Sequence, residues 1–337
     1  VKVCVTGVAG FLGSHIADAM LARGHEVVGV DNMVGGEQSN IPAGVEFYSL
    51  DCQDLVKPVW HFVMQDVQLV YHCAALAYEG LSVFSPYTVV ESIVGASTAV
   101  FSAAIRAGVR RIVHCSSMAR YGALMPPFTE DADCRPQDPY GIAKLAAEGI
   151  LRNLCYVHGT EFVIAVPHNI IGPRQKFDDP FRNVASIMMN RMLQGKQPII
   201  YGDGEQKRCF SFVGDCLDCL VKMGTLADVT GAVINIGPDE EPVTINQLAR
   251  HISAHTLFRP KLEPIYMPGR PQEVKVALCS SAKARRLLGY ETKTTLDEGL
   301  KEMVQAMVER GPRPFKYHLP LEIVSAKTPR TWTDRVF

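Results

Sequence analysis

Two tryptophans and a net charge of −1 mark a 337-residue chain that lacks any strong bias. Without a surplus of positive charge, nothing favours nucleic acid or an acidic membrane as a partner. Uninterrupted apolar runs, such as the one ending at Ala165, are too short to span a bilayer. A basic-then-apolar leader is missing, so no secretion and a cytoplasmic location are expected. Valine stands first, so an initiator methionine is expected to have been removed or left out of the numbering. Repeats and low-complexity segments are also missing.

Cysteine is present, ten times, but without a metal-site spacing. Many of the ten sit in apolar runs, where free cysteine behaves as a small hydrophobe, and reduced thiols are expected in the cytosol. Cys216-x-x-Cys219 has no second pair or nearby histidines and falls in a helical pattern, so no metal is expected there. Hydrophobic residues make up 47% and charged residues 20%, ordinary values for a soluble enzyme. The length allows one large α/β domain and a smaller one.

The chain opens with a short β-rich run, then Gly7-x-x-Gly10-x-x-Gly13, then a helical pattern closed by Gly24. A second β-rich run, E-V-V-G-V, ends in Asp31-Asn32. Strand, glycine turn, helix, strand and acid form the dinucleotide-binding arrangement. The glycines let backbone N–H groups approach a pyrophosphate at a helix N-terminus. Asp31 can accept a bond from a ribose 2′-OH and would repel a 2′-phosphate, which favours NAD over NADP. Further strands end at Asp51-Cys52, at Ala74-Ala75 and at Ser116-Ser117. Alternating strands and helices as far as residue 173 specify a doubly wound parallel sheet. Residues 174–337 change pattern and read mainly as a smaller α/β cap, with some segments returning to the main sheet and an extended tail. There D-P-F-R-N-V reads as a helix start. The stretch from Gln197 through Asp215 reads as a hairpin-like pair of strands.

Tyr140 and Lys144 lie four apart in a helical run, hence on one helix face. An ammonium beside a phenol favours the phenolate. With the hydroxyls of Ser116 and Ser117 at a strand's carboxyl end, this stretch reads as a base that deprotonates a sugar hydroxyl.

Six stretches in order, T-G-V-A-G-F-L-G-S-H, S-S-M-A-R-Y-G, Y-G-I-A-K, N-I-I-G-P-R-Q, Y-G-D-G-E-Q-K-R-C-F-S-F-V-G-D and R-R-L-L-G-Y, span nearly the whole chain. Together they resemble the extended short-chain dehydrogenase/reductases, in particular the NAD-dependent nucleotide-sugar epimerase/dehydratase family. The resemblance implies a Rossmann-type sheet, bound NAD and a nucleotide-sugar substrate, UDP-linked on family grounds. It implies that Gly7, Gly10, Phe11, Leu12 and Gly13 form the cofactor loop. Asp31 would meet the ribose, Asp51 and Cys52 the adenine, and Asn32 would also bind the cofactor. Ala74, Ala75, Leu76 and Pro167 would lie against the cofactor. Tyr140 would be the catalytic base, Lys144 its partner and Ser117 the hydroxyl on the reacting sugar oxygen. Asn169, Arg208 and Arg270 would contact substrate, the arginines at its diphosphate.

Some positions depart from the family pattern. Related 4,6-dehydratases usually carry Asp-Glu after the serine, where this chain has Met118-Ala119. Neither residue can move a proton, which favours 4-epimerisation over dehydration. Met118 is expected to shape the sugar pocket. Glu79, in the loop after the fourth strand, reads either as an added substrate-facing acid or as a solvated loop charge. A homodimer through two long helices, the one after Pro86 and the one carrying Tyr140, is also implied. A regulator without turnover is the remaining reading, and the intact Ser117, Tyr140 and Lys144 count against it.

Overall fold

The computed structural model describes residues 1–54, 58–240, 242–256 and 260–337. Six strands come from the first half: β1 (Lys2–Thr6), β2 (Glu26–Asp31), β3 (Glu46–Ser49), β4 (Val67–His72), β5 (Arg111–Cys115) and β6 (Glu161–Pro167). A seventh strand, Val233–Ile236, returns from the second half and pairs with β6. The order is Val233–Ile236, β6, β5, β4, β1, β2, β3, and every pairing is parallel. β1 and β5 are almost wholly buried, as strands covered on both faces must be. The chain leaves β1 toward β2 and β3, then crosses back to β4. That reversal opens a crevice at the carboxyl ends of β1 and β4, where open α/β sheets hold ligands.

Each face of the sheet has its own core. On one, Ile16 and Met20 of the helix Phe11–Leu21 pack with Leu220 of the helix Val213–Thr225. Cys216 and Cys219 belong to this core as small hydrophobes. On the other face, Val100 and Phe101 pack with Leu151 and Cys155 of the helix Pro139–His158. The helix Pro86–Arg106 runs 21 residues and is apolar enough, by length and composition, to cross a membrane; half of it is buried against the protein. Scanning for uninterrupted apolar runs missed it because Ser92, Ser97 and Thr98 break the run without ending the helix.

The smaller part has a third core, in which Met188 and Met189 meet Leu248 and Ile252 of the helix Ile245–His255 and Leu300 and Met303 of the helix Leu296–Arg310. Two expectations are corrected here. The segment from Asp179 is not yet helix: helix begins at Val184, where the Asn183 side chain accepts a bond from Ala185 N–H at 2.9 Å. The expected hairpin also fails to form. Ile199–Tyr201 pairs in parallel with Ile265–Met267, and Lys207–Arg208 pairs with Val243–Thr244 and Val276–Ala277. Gly202 and Gly204, at φ 72° and 77°, turn the chain out of the first strand's line. A side chain at Gly204 would also overlap Asn246, so the turn packs against a helix instead of folding back.

The tail lies on the body. Glu322 and Ile323 donate their backbone N–H groups to the Phe84 carbonyl at 2.9 and 2.8 Å. Trp332 is buried, with its ring edge-on to Phe84 and Phe181.

Candidate active site

One cavity of ≈ 740 Å³ follows the crevice from β2 across β1 and β4 to the smaller part. Every candidate residue named from the sequence except Met118 lines it.

The cofactor end is built from backbone. Gly7 has φ 74°, and its N–H donates to the Val30 carbonyl at 2.7 Å. A Cβ on Gly7 would lie 2.9 Å from the Ala74 nitrogen, and one on Gly13 would overlap the Gly7 carbonyl oxygen. The helix Phe11–Leu21 starts at Gly10 with no side-chain cap and no acid in its first turn. Its first N–H groups are therefore left for an anion. Asp31 accepts N–H bonds from Ala9 at 3.0 Å and Met33 at 2.8 Å, tying the glycine loop to the end of β2. Burial raises its carboxyl, against those two bonds. Asp51 accepts from the Asn32 amide at 2.9 Å and from Gln53 N–H at 2.9 Å. Cys52 is buried beside it, and burial pushes its thiol well up, so it acts as a neutral wall. An uncapped helix start, an acid at the β2 end and glycines with no room for a side chain fit a dinucleotide such as NAD.

The centre of the cavity holds Ser117, Tyr140 and Lys144. Asp138 caps the helix Pro139–His158 through Gly141 N–H at 2.8 Å, and Pro139 fixes the first turn. Gly141 lets this helix lie against the turn Met118–Arg120, since a Cβ there would come within 2.6 Å of the Ala119 carbonyl oxygen. The close approach sets Tyr140 beside Ser117. The two serines point apart: Ser116 donates to Glu148, which is paired with Arg120 at 2.8 Å, both deeply buried. Ser117 is left for the reacting side. Lys144 donates from Nζ to the Cys115 carbonyl at 2.8 Å and lies 5.9 Å from the Tyr140 ring centroid.

Burial holds the Tyr140 phenol above its usual range, and the Ser117 hydroxyl and the Arg182 cation pull the other way. Lys144 is itself lowered, chiefly by burial. Enclosure therefore outweighs the effect expected of the ammonium on the phenol.

Charged side chains from separate elements build the far end. Glu273 pairs with Arg270 at 3.1 Å and with Arg208 at 4.0 Å. Arg270 also covers the Tyr201 ring at 4.8 Å. Asn169, at φ 43°, donates its amide to the Cys209 carbonyl at 3.1 Å. Glu79 begins the short helix Glu79–Ser82 and opens onto the cavity. Its side chain is exposed there, and the surrounding protein raises its carboxyl against the pull of Arg208 and Arg270. Glu79 thus combines the two readings: its carboxylate lines the cavity and is exposed there.

Met118 is corrected. It opens the turn Met118–Arg120 and packs on the core around Tyr121 and Phe128 instead of lining the cavity.

The sequence reading missed Arg182. Its guanidinium lies 4.8 Å over the Tyr78 ring and pairs with buried Asp179 at 3.5 Å. Asp179 also accepts from the Tyr78 hydroxyl at 2.6 Å. Burial opposes the charge of Arg182, but Tyr78 and Asp179 outweigh it and keep the cation. Tyr78, Phe181 and Tyr140 share one apolar cluster, which brings Arg182 into the reach of the phenol. A lone arginine in D-D-P-F-R-N-V carries no local pattern; only the preceding acids hinted at a held cation.

Comparison with known proteins agrees with this geometry. The NAD dependent epimerase/dehydratase family matches residues 3–237. A UDP-glucose 4-epimerase of Mycolicibacterium smegmatis is 31% identical over 316 residues, covering 90% of this chain and 97% of the relative. The crystal structure of a UDP-glucose 4-epimerase from Thermotoga maritima, with UDP-glucose, superposes with a TM-score of 0.85 at 30% identity, covering 92% of this chain and 99% of that one. A UDP-glucuronic acid 4-epimerase from Bacillus cereus, in complex with UDP-glucuronic acid and NAD, gives 0.84 at 26% identity, covering 92% of this chain and 100% of that one.

Proposed function

The chain belongs to the NAD dependent epimerase/dehydratase family, and from that premise we propose that it is a nucleotide-sugar 4-epimerase acting on a UDP-sugar. The observation that carries the reading is the cavity's layout, with Ser117, Tyr140 and Lys144 at its centre and Arg208 and Arg270 at one end. A proton acceptor and a diphosphate clamp then lie apart in one cavity, as a sugar joined to a nucleotide requires.

Gly7, Gly10 and Gly13 with Asp31 would hold NAD, which when bound supplies the acceptor and donor of a hydride. Ser117 orients the C4 hydroxyl of the sugar. Tyr140 takes that proton as the 4-keto sugar forms, and returns it after the sugar has presented its other face. Lys144 supplies positive charge beside the phenolate. Arg208 and Arg270 hold the diphosphate while the sugar turns. Elimination of water needs an acid near the reacting carbons. Met118 and Ala119 supply none at the place where related 4,6-dehydratases carry theirs, which supports epimerisation over 4,6-dehydration and leaves Glu79 as the acid an elimination would use.

The test is NMR of the product from the purified protein with UDP-, GDP- and dTDP-sugars. A C4-inverted UDP-sugar is expected, and loss of the C6 hydroxyl would replace this reading with dehydration. Tyr140→Phe should lower turnover by about a thousandfold; unchanged activity would remove Tyr140 as the base. The reading extends to a homodimer through the helices Pro86–Arg106 and Pro139–His158, supported by the exposed Ile142, Tyr156 and Val157. A monomer by light scattering would overturn that part.

A further inference from the structure

Around the sugar end of the cavity, three acids are committed to protein partners. Asp138 caps its helix at 2.8 Å, Glu273 holds Arg270 at 3.1 Å, and Asp179 takes the Tyr78 hydroxyl at 2.6 Å. Glu79 differs. Among the described residues none donates a hydrogen bond or forms an ion pair with its carboxylate, and Asp138, Arg208, Arg270 and Glu273 act on it through charge alone. Its position is fixed from two sides. Gly80 backs onto Arg270, where a Cβ would lie 3.0 Å from the guanidinium Nη1. Tyr140 feels the charge of Glu79 on the other side.

Glu79 therefore borders the space between the phenol and the arginine pair. If O4 of the substrate meets Tyr140 and its diphosphate meets Arg208 and Arg270, the hexose ring lies in that space. A carboxylate that lines the cavity without a protein donor is left to accept from the ligand. Hexose hydroxyls, or an acetamido N–H, are such donors. An ionised carboxylate on the sugar has no proton to give and adds like charge at short range. The cations nearby do not relieve it: Arg208 and Arg270 face the diphosphate and Glu273, and Arg182 is held by Asp179.

We propose that Glu79 sets the substrate class: a nucleotide sugar whose ring is uncharged and offers hydroxyl or N–H donors, with hexuronates rejected. This inference rests on the epimerase reading above and adds to it the charge of the sugar.

The experiment compares kcat/KM of the full-length protein with NAD on UDP-glucose and UDP-galactose against UDP-glucuronate and UDP-galacturonate. Wild type should favour the neutral pair by about a hundredfold, and Glu79→Gln, of the same shape, should narrow that ratio by about tenfold, mainly through the KM of the uronates. Equal use of both pairs by the wild type would overturn the proposal, as would an unchanged ratio in a folded, active Glu79→Gln. If neither pair is turned over, the epimerase reading falls. Calorimetric binding of UDP-glucose against UDP-glucuronate then still decides the role of Glu79: tighter binding of UDP-glucose, lost in Glu79→Gln, supports it, and equal binding overturns it.

Discussion

The two ends of the cavity recognise their ligands by opposite means. At the cofactor end the wall is backbone: Gly7 and Gly13 leave no room for side chains, and the helix start at Gly10 is uncapped. At the sugar end the wall is long side chains, Glu79, Arg182, Arg208, Arg270 and Glu273, drawn from separate segments. A backbone wall suits a constant ligand, because the peptide offers the same N–H groups whatever the side chains are. A side-chain wall can be re-specified one residue at a time, which suits a family whose substrates differ. The contrast implies that changes at the first end destroy binding and fold together, whereas changes at the second alter affinity, choice or pH dependence in a protein that stays folded.

The largest effect is expected at Gly13. Gly13→Ala puts a methyl group onto the Gly7 carbonyl oxygen, which belongs to backbone and has no rotamer to yield. The loop must move, and the overpacking costs about 3 kcal/mol. NAD affinity should fall at least about a hundredfold, measured by fluorescence titration, with a lower midpoint in urea unfolding. Near-normal NAD binding by Gly13→Ala would break the contrast between the two ends.

Those same ends differ in how much of them the sequence made legible. The backbone end is local: one glycine spacing followed by one acid places Gly7, Gly10, Gly13 and Asp31 correctly, because strand, turn and helix are neighbours in the chain. Tyr140 and Lys144 were legible for the same reason, being one helical turn apart. The sugar end is assembled by long-range packing. Arg208 and Arg270 are 62 residues apart in number, yet both pair with Glu273. The strand partners of Lys207–Arg208 lie far along the chain, so a local reading turned them into a hairpin. Met118 was misplaced because a short turn, invisible to periodicity, faces it to the core. Arg182 was missed because its importance lies in Tyr78, about a hundred residues earlier in the chain.

Arg208 gives a smaller and more selective effect. Arg208→Ala removes one cation from the diphosphate clamp while Arg270 and its partner Glu273 stay in place. A charge-assisted hydrogen bond is worth about 2 kcal/mol, so KM should rise about thirtyfold. Because the clamp holds the sugar nucleotide before and after the chemistry alike, kcat should stay within about threefold. Steady-state kinetics with UDP-glucose, beside an unchanged melting temperature and NAD affinity, would keep the two ends independent. An equal fall in kcat would mean that the clamp acts on the reacting sugar and not on binding alone.

The subtlest effect belongs to Arg182 and appears only against pH. Burial keeps the Tyr140 phenol above its usual range, so at neutral pH the reactive phenolate is the minor form and its fraction grows as pH rises. The wild-type kcat/KM should therefore climb with pH on its acid limb. Arg182 favours the phenolate, so removing its charge must raise the phenol further and move that limb to higher pH. For Arg182→Ala a displacement of about half a unit, or a roughly threefold loss at fixed pH on the rising limb, is expected. Arg182→Lys, which keeps a cation over Tyr78 and beside Asp179, should restore most of it. A merely structural arginine would lower activity equally at every pH, and a parallel drop across the whole profile would assign it that role.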